Sequence, residues 1–116
     1  MPRETPLLNE ILVTVSRLPG VRAWRANAGT AWVRVGGGNM RPIQVNVPGC
    51  PDIIGWMTVN GLAVFLGIEV KTAGVAMRET QESFQKALTS YGGIYIIARS
   101  VDDAVNGIAE ARRHAA

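Results

Sequence analysis

The dipeptide Asn60-Gly61, set between IIGWMTV (53–59) and LAVFLGIEV (62–70), limits the folds open to this chain more than any other feature. Both residues tolerate the positive φ of a two-residue type I′ turn, and both flanking runs are rich in β-branched and aromatic side chains. The segment reads as a tight antiparallel hairpin. Facing pairs then run outward from Val59–Leu62 through Trp56–Phe65 to Asp52–Glu69. Opposed residues share a face of the sheet, and Lys71, two residues past Glu69, joins that face. The other face, from Ile53 through Met57 to Leu66, Ile68 and Val70, holds no polar group. A sheet covered on both sides is expected, with Asp52, Glu69 and Lys71 at one open end.

The rest of the chain supplies helices for such a sheet. Thr5-Pro6 is a helix start, a capping hydroxyl followed by proline at the first helical position. Leu7, Leu8, Ile11, Leu12, Val15 and Leu18 then mark one face, and Pro19-Gly20 closes the helix. VRAWRA (21–26) and AWVRV (31–35) alternate as strands, with glycine-rich connections. VGGGN (35–39) lacks the lysine and hydroxyl of a phosphate loop and reads as a turn. RETQESFQKALTSY (78–91) is helical and closed by Gly92 and Gly93. GIYIIA (93–98) is a short buried strand, and Ser100 with Asp103 resembles a capping box opening a last helix to about Arg113. At 116 residues, a single domain spanning 1–116 is expected. Its class is α/β, a mixed sheet flanked by helices in the order α-β-β-β-α-β-α.

Two facing carboxylates repel and destabilise a bare sheet. A divalent cation reverses that sign, because magnesium accepts oxygen ligands from one or two carboxylates. Lys71 beside them can hold a water or offset charge on a reacting phosphate. The plainer alternative is a solvated strand end in which Glu69 and Lys71 merely pair. Other chemistries have little material. Cys50 is the only cysteine, which excludes an internal disulfide or a cysteine zinc cluster, and the only histidine, His114, lies at the far end.

The PD at 51–52 followed by EVK at 69–71 resembles the PD-(D/E)xK nuclease motif. The wider pattern GCPDIIGW…IEVKTAG…RETQESFQKAL…YGGIYIIARSVDD resembles the virus-type replication-repair nuclease (VRR-NUC) family over residues 49–103. That resemblance implies a restriction-endonuclease-like core and metal-dependent (Mg2+ or Mn2+) endonucleolytic cleavage of DNA phosphodiesters. It implies Asp52 and Glu69 as metal ligands, the Val70 carbonyl as a further one, and Lys71 as the catalytic lysine. Gln81, on the axis of a stripe of Met77, Phe84, Leu88 and Tyr91, occupies the place of a family glutamine that faces the active site. Glu10, flanking the apolar face of the first helix, is a candidate metal ligand because such nucleases often supply a first-helix glutamate. An exposed acid near a helix start is the alternative. A non-catalytic nucleic-acid-binding module of the same fold is the alternative function. It predicts a missing metal ligand, and none is missing.

The net charge of +3 comes from ten arginines and two lysines against nine acids. Arginine pairs bidentately with phosphate, so Arg22, Arg25, Arg34, Arg41 and Arg78 are candidate DNA contacts. An arginine–tryptophan strand with a charged outer face is the alternative for each. The start carries Glu4 and Glu10 with no apolar signal core, and the longest uncharged run, Ile53 to Ile68, is short and glycine-broken. A cytoplasmic protein, bacterial or phage-encoded, with no membrane association is expected. The resemblance extends to branched DNA such as a four-way (Holliday) junction as substrate, in replication, recombination or repair. A homodimer is expected, since paired cuts suit a two-fold pair of centres.

Overall fold

The computed structural model describes residues 4–26, 29–45 and 47–115. In chain order the elements are α1 (Glu4–Ser16), β1 (Val21–Arg25), β2 (Gly29–Arg34), β3 (Met40–Val45), β4 (Ile53–Val59), β5 (Leu62–Val70), α2 (Glu79–Ser90), β6 (Ile94–Ala98) and α3 (Val101–Ala115). A four-stranded sheet runs β1-β4-β5-β6, and β2 with β3 forms a separate ribbon. Strand β5 pairs antiparallel with β4 and parallel with β6. The parallel step needs a long crossover, which α2 supplies. The fold is mixed α/β, its mixed sheet flanked by helices.

Asn60 and Gly61 take φ of 50° and 80°, the left-handed pair of a type I′ turn. The ladder runs from Val59↔Leu62 to Ile53↔Ile68 without a slip. Ile53, Met57, Leu66, Ile68 and Val70 consequently share a face and are fully buried or nearly so. Leu8, Ile11 and Val15 of α1 and Ala104 and Ile108 of α3 complete this core. Each fully buried aliphatic side chain stabilises the fold by about 1.5–3 kcal/mol. Asp103 accepts from the Arg99 N–H and Ser100 Oγ accepts from the Asp103 N–H, which caps α3.

Three sequence expectations change. Helix α1 already includes Glu4, so Thr5 lies inside its first turn and is not its cap. Five strands separate α1 from α2, against three in the expected order and four strand runs read along the chain. The added strand β3 contains Pro42, which deletes a ladder donor and argues against a central strand. It is tolerated because β2 and β3 pair only with each other. Finally, the sheet is covered on both sides only in its β5–β6 half. Helix α2 lies over the β5–β6 half of the second face, where Leu88 approaches Gly67 and Gly93 and the Phe84 ring lies 6.4 Å from that of Tyr95. The β1–β4 half of that face stays open, with Trp24 46% and Trp56 41% exposed.

Candidate active site

The hairpin register brings Asp52 to the end of β4 beside the end of β5. Asp52 sits just before the last ladder pair, and its Oδ2 accepts the Val70 N–H at 2.9 Å. Its own carbonyl accepts the Ala26 N–H at 2.8 Å, which ties the loop to β1. Pro51, fully buried, packs over Gly67, where a Cβ would collide with its ring. Gly49 has φ of 80° and presses on the Thr80 backbone, so any side chain there would push the loop off the start of α2.

Glu69 and Lys71 are 3% and 5% exposed, though both are ionisable. Side chains of this kind are rarely buried without partners. The Lys71 Nζ lies 3.5 Å from Glu69 Oε2, and Gln81 Nε2 donates to the same oxygen at 2.9 Å. Gln81 is buried too, and its Oε1 accepts the Arg78 N–H at 2.8 Å, closing the first turn of α2. A glutamine on the inward face of this helix costs little because both ends of its amide are bonded. The Lys71 N–H donates to the Ala98 carbonyl, and Arg99 Nη1 donates to the Thr72 carbonyl, so β6 fixes the chain on both sides of Lys71.

Asp52 and Glu69 outnumber Lys71, and neighbouring groups register the negative field. Burial, then Glu69, then Asp52 push the Cys50 thiol up, and the same causes in the same order raise the Tyr95 phenol. Tyr95 faces Gly67 across the parallel ladder, and its hydroxyl donates to Met77 Sδ at 4.0 Å. Sequence reasoning did not single out Tyr95 or Arg99. Alternation along IYIIA, registered on Gly67, would have put Tyr95 on the site's face.

The other sequence candidates fall elsewhere. Glu10 is exposed on α1, where it borders a shallow depression with Asn9, Val13, Thr14 and Val101. Among the described residues, no three His, Cys, Asp or Glu side chains form a group able to hold a metal. The converging carboxylates are therefore two. Tyr91 leaves the helical stripe, being 93% exposed just beyond α2, and Met77 precedes the helix. Arg22, Arg25, Arg34, Arg41 and Arg78 are all exposed. Arg22 and Trp24 share the site's face of the sheet, whereas Arg25 pairs with Ile53 on the other. Arg34 and Arg41 lie on the ribbon, on opposite faces of it by their pairings with Met40 and Val33.

Compared with protein families, residues 13–102 match the family model of the VRR-NUC domain. That span holds Asp52, Glu69, Lys71 and Gln81 and leaves out Glu10. No curated protein and no solved structure gives a significant match.

Proposed function

The chain belongs to the VRR-NUC domain family, whose function is nuclease-type DNA processing, and on that premise we propose that it is a divalent-metal-dependent endodeoxyribonuclease. One observation carries the reading: a buried Glu69 carboxylate, held by both Lys71 and Gln81, stands beside the strand end at which Asp52 is locked to the Val70 main chain. Four polar groups converging in one corner of the sheet, three of them buried, serve poorly as packing. The donor set also fits a hard cation. Two carboxylates and a backbone carbonyl are oxygen ligands, the kind magnesium and manganese select. The local excess of negative charge favours a cation as well.

In this reading Asp52, Glu69 and the Val70 carbonyl would hold Mg2+ or Mn2+. The metal, when bound, polarises the phosphate and lowers the pKa of water. Lys71 orients the attacking water or offsets the charge developing on the phosphate. Gln81 is a positioning residue. Its amide keeps the Glu69 carboxylate turned towards Lys71, with the Arg78 N–H fixing which way the amide points. The exposed arginines neutralise phosphates along the bound strand. Branched DNA is the proposed substrate, such as a four-way junction, cut by a homodimer with one centre per strand and acting in the cytoplasm of a bacterial cell. Gel assays with labelled single-stranded, duplex, flap and junction DNA, each with magnesium, manganese or chelator, test this. Metal-dependent cleavage that prefers the junction is expected. No cleavage of any substrate in either metal would overturn the reading.

A further inference from the structure

The open half of the sheet face carries an aromatic surface that the cleavage chemistry does not use. Arg22 pairs with Trp56, which pairs with Phe65; one row nearer the site, Trp24 pairs with Ile54, which pairs with Gly67. The following row is that of Asp52 and Glu69. Rows lie two residues, roughly 6.8 Å, apart along the strands. Trp24 is therefore one row from the carboxylates and Trp56 two. Trp24, Trp56 and Phe65 are each more than two-fifths exposed, and the two indoles meet edge to face, with centroids 5.9 Å apart and planes at 76°. Beyond Phe65 the face continues into an apolar groove of about 570 Å³ between β5 and α2, bordered by Phe84, Leu88 and Tyr91.

We propose that this surface is a stacking platform for unpaired nucleotides of the DNA strand adjoining the scissile phosphate. Flat ring faces beside a cationic groove bind single strands with little sequence preference, because every base has a π-face. Inside a duplex those faces are already stacked and unavailable. Charge complementarity names nucleic acid as the occupant. Arg22, exposed, lies on this face in the same row as Trp56. Within the strands of this face the only acid is Glu69, at the site itself. A second copy seated on the rings would crowd the approach to Asp52 and Glu69, one row away. The platform rests on the nuclease reading and deepens it by naming the part of a branched substrate that the protein holds: nucleotides that come unpaired at the branch point.

The test is carried out on the full chain in chelator, so that binding is read without cleavage. The probe is single-stranded oligothymidylate, and the readout is tryptophan emission in a Trp32→Phe background, which leaves Trp24 and Trp56 as reporters. The oligonucleotide is expected to quench them. Trp24→Leu and Trp56→Leu keep apolar volume but lose the ring face, and each should weaken binding about tenfold. Trp24→Phe should retain most of it, and duplex affinity should change little in all three. Circular dichroism establishes that the variants fold, and the Phe variant serves if a Leu variant does not. Wild-type affinity in both Leu variants would overturn the platform. So would a shift from dimer to monomer in light scattering with oligonucleotide binding unchanged, which would make the patch an interface between copies. A protein that binds the oligonucleotide through these rings but cleaves nothing in magnesium would sink the nuclease reading and leave the platform standing.

Discussion

Gln81, in the first turn of α2, donates its amide N–H to Glu69 Oε2 at 2.9 Å while its carbonyl oxygen accepts the Arg78 N–H at 2.8 Å. One side chain thereby closes a helix start and orients a buried carboxylate on β5. The two bonds fix the amide, since a flipped amide would set oxygen against carboxylate and N–H against N–H. Gln81→Met keeps the volume and removes both bonds. It leaves a buried carboxylate short of a donor, at a cost of about 1–3 kcal/mol. A melting temperature lower by several degrees is expected, at roughly 4 °C per kcal/mol for a domain of this size. A thermal melt equal to wild type would show that the pair does not contribute to stability.

Cleavage should be lost in Lys71→Met while DNA affinity is kept. The ammonium is buried beside Glu69, whereas the exposed arginines proposed to meet phosphates are untouched. Methionine follows the same hydrocarbon path, so the loss would report the charge and not the packing. Cleavage of junction DNA in magnesium and affinity in chelator are the two measurements. Wild-type turnover in the purified variant would remove Lys71 from the chemistry.

DNA affinity should fall steeply with salt and depend little on sequence. Each phosphate contact on duplex contributes a log–log slope of about −0.9. Arg34→Ala with Arg41→Ala, on the ribbon, should lessen the slope by about two such contacts if both meet phosphates. An unchanged slope would take the ribbon out of the DNA-binding surface.

How much of this was legible in the sequence differs by element. The hairpin was, because Asn60-Gly61 sets both turn type and register, and register alone brings Asp52 to Glu69 and Lys71 to the same face. The inward placement of Gln81 was, from helical period, but its two partners were not, since a period gives direction without distance. The β2–β3 ribbon was half legible. AWVRV alternates, while the partner MRPIQV is interrupted by Pro42, which only an edge position accommodates. The open half-face was not legible. Alternation assigns Trp24, Trp56 and Phe65 to one side, but whether a helix covers them depends on where α2 lands. That in turn is decided by contacts such as Leu88 against Gly67 and Gly93.

Asp52→Asn separates the carboxylate's structural role from the role proposed for it towards a metal. The Asp52 side chain accepts the Val70 N–H, and asparagine retains an oxygen for that bond. The change also removes one of two negative charges at the same strand ends. In chelator the variant should therefore melt at the wild-type temperature or above it. Magnesium should raise the melting temperature of the wild type and have little effect on the variant. Ligand bound only to the native state adds RT ln(1 + [L]/Kd), about 1.4 kcal/mol at ten times Kd, or several degrees here. Asp52→Ala is the complementary change. It also loses the acceptor for the Val70 N–H, so it should melt below wild type even in chelator, by the order of 1 kcal/mol expected for one such bond. Differential scanning calorimetry of the three proteins, with and without magnesium, gives all the comparisons. Equal metal shifts in wild type and Asp52→Asn, with Asp52→Asn clearly less stable in chelator, would show that Asp52 and Glu69 do not share a cation.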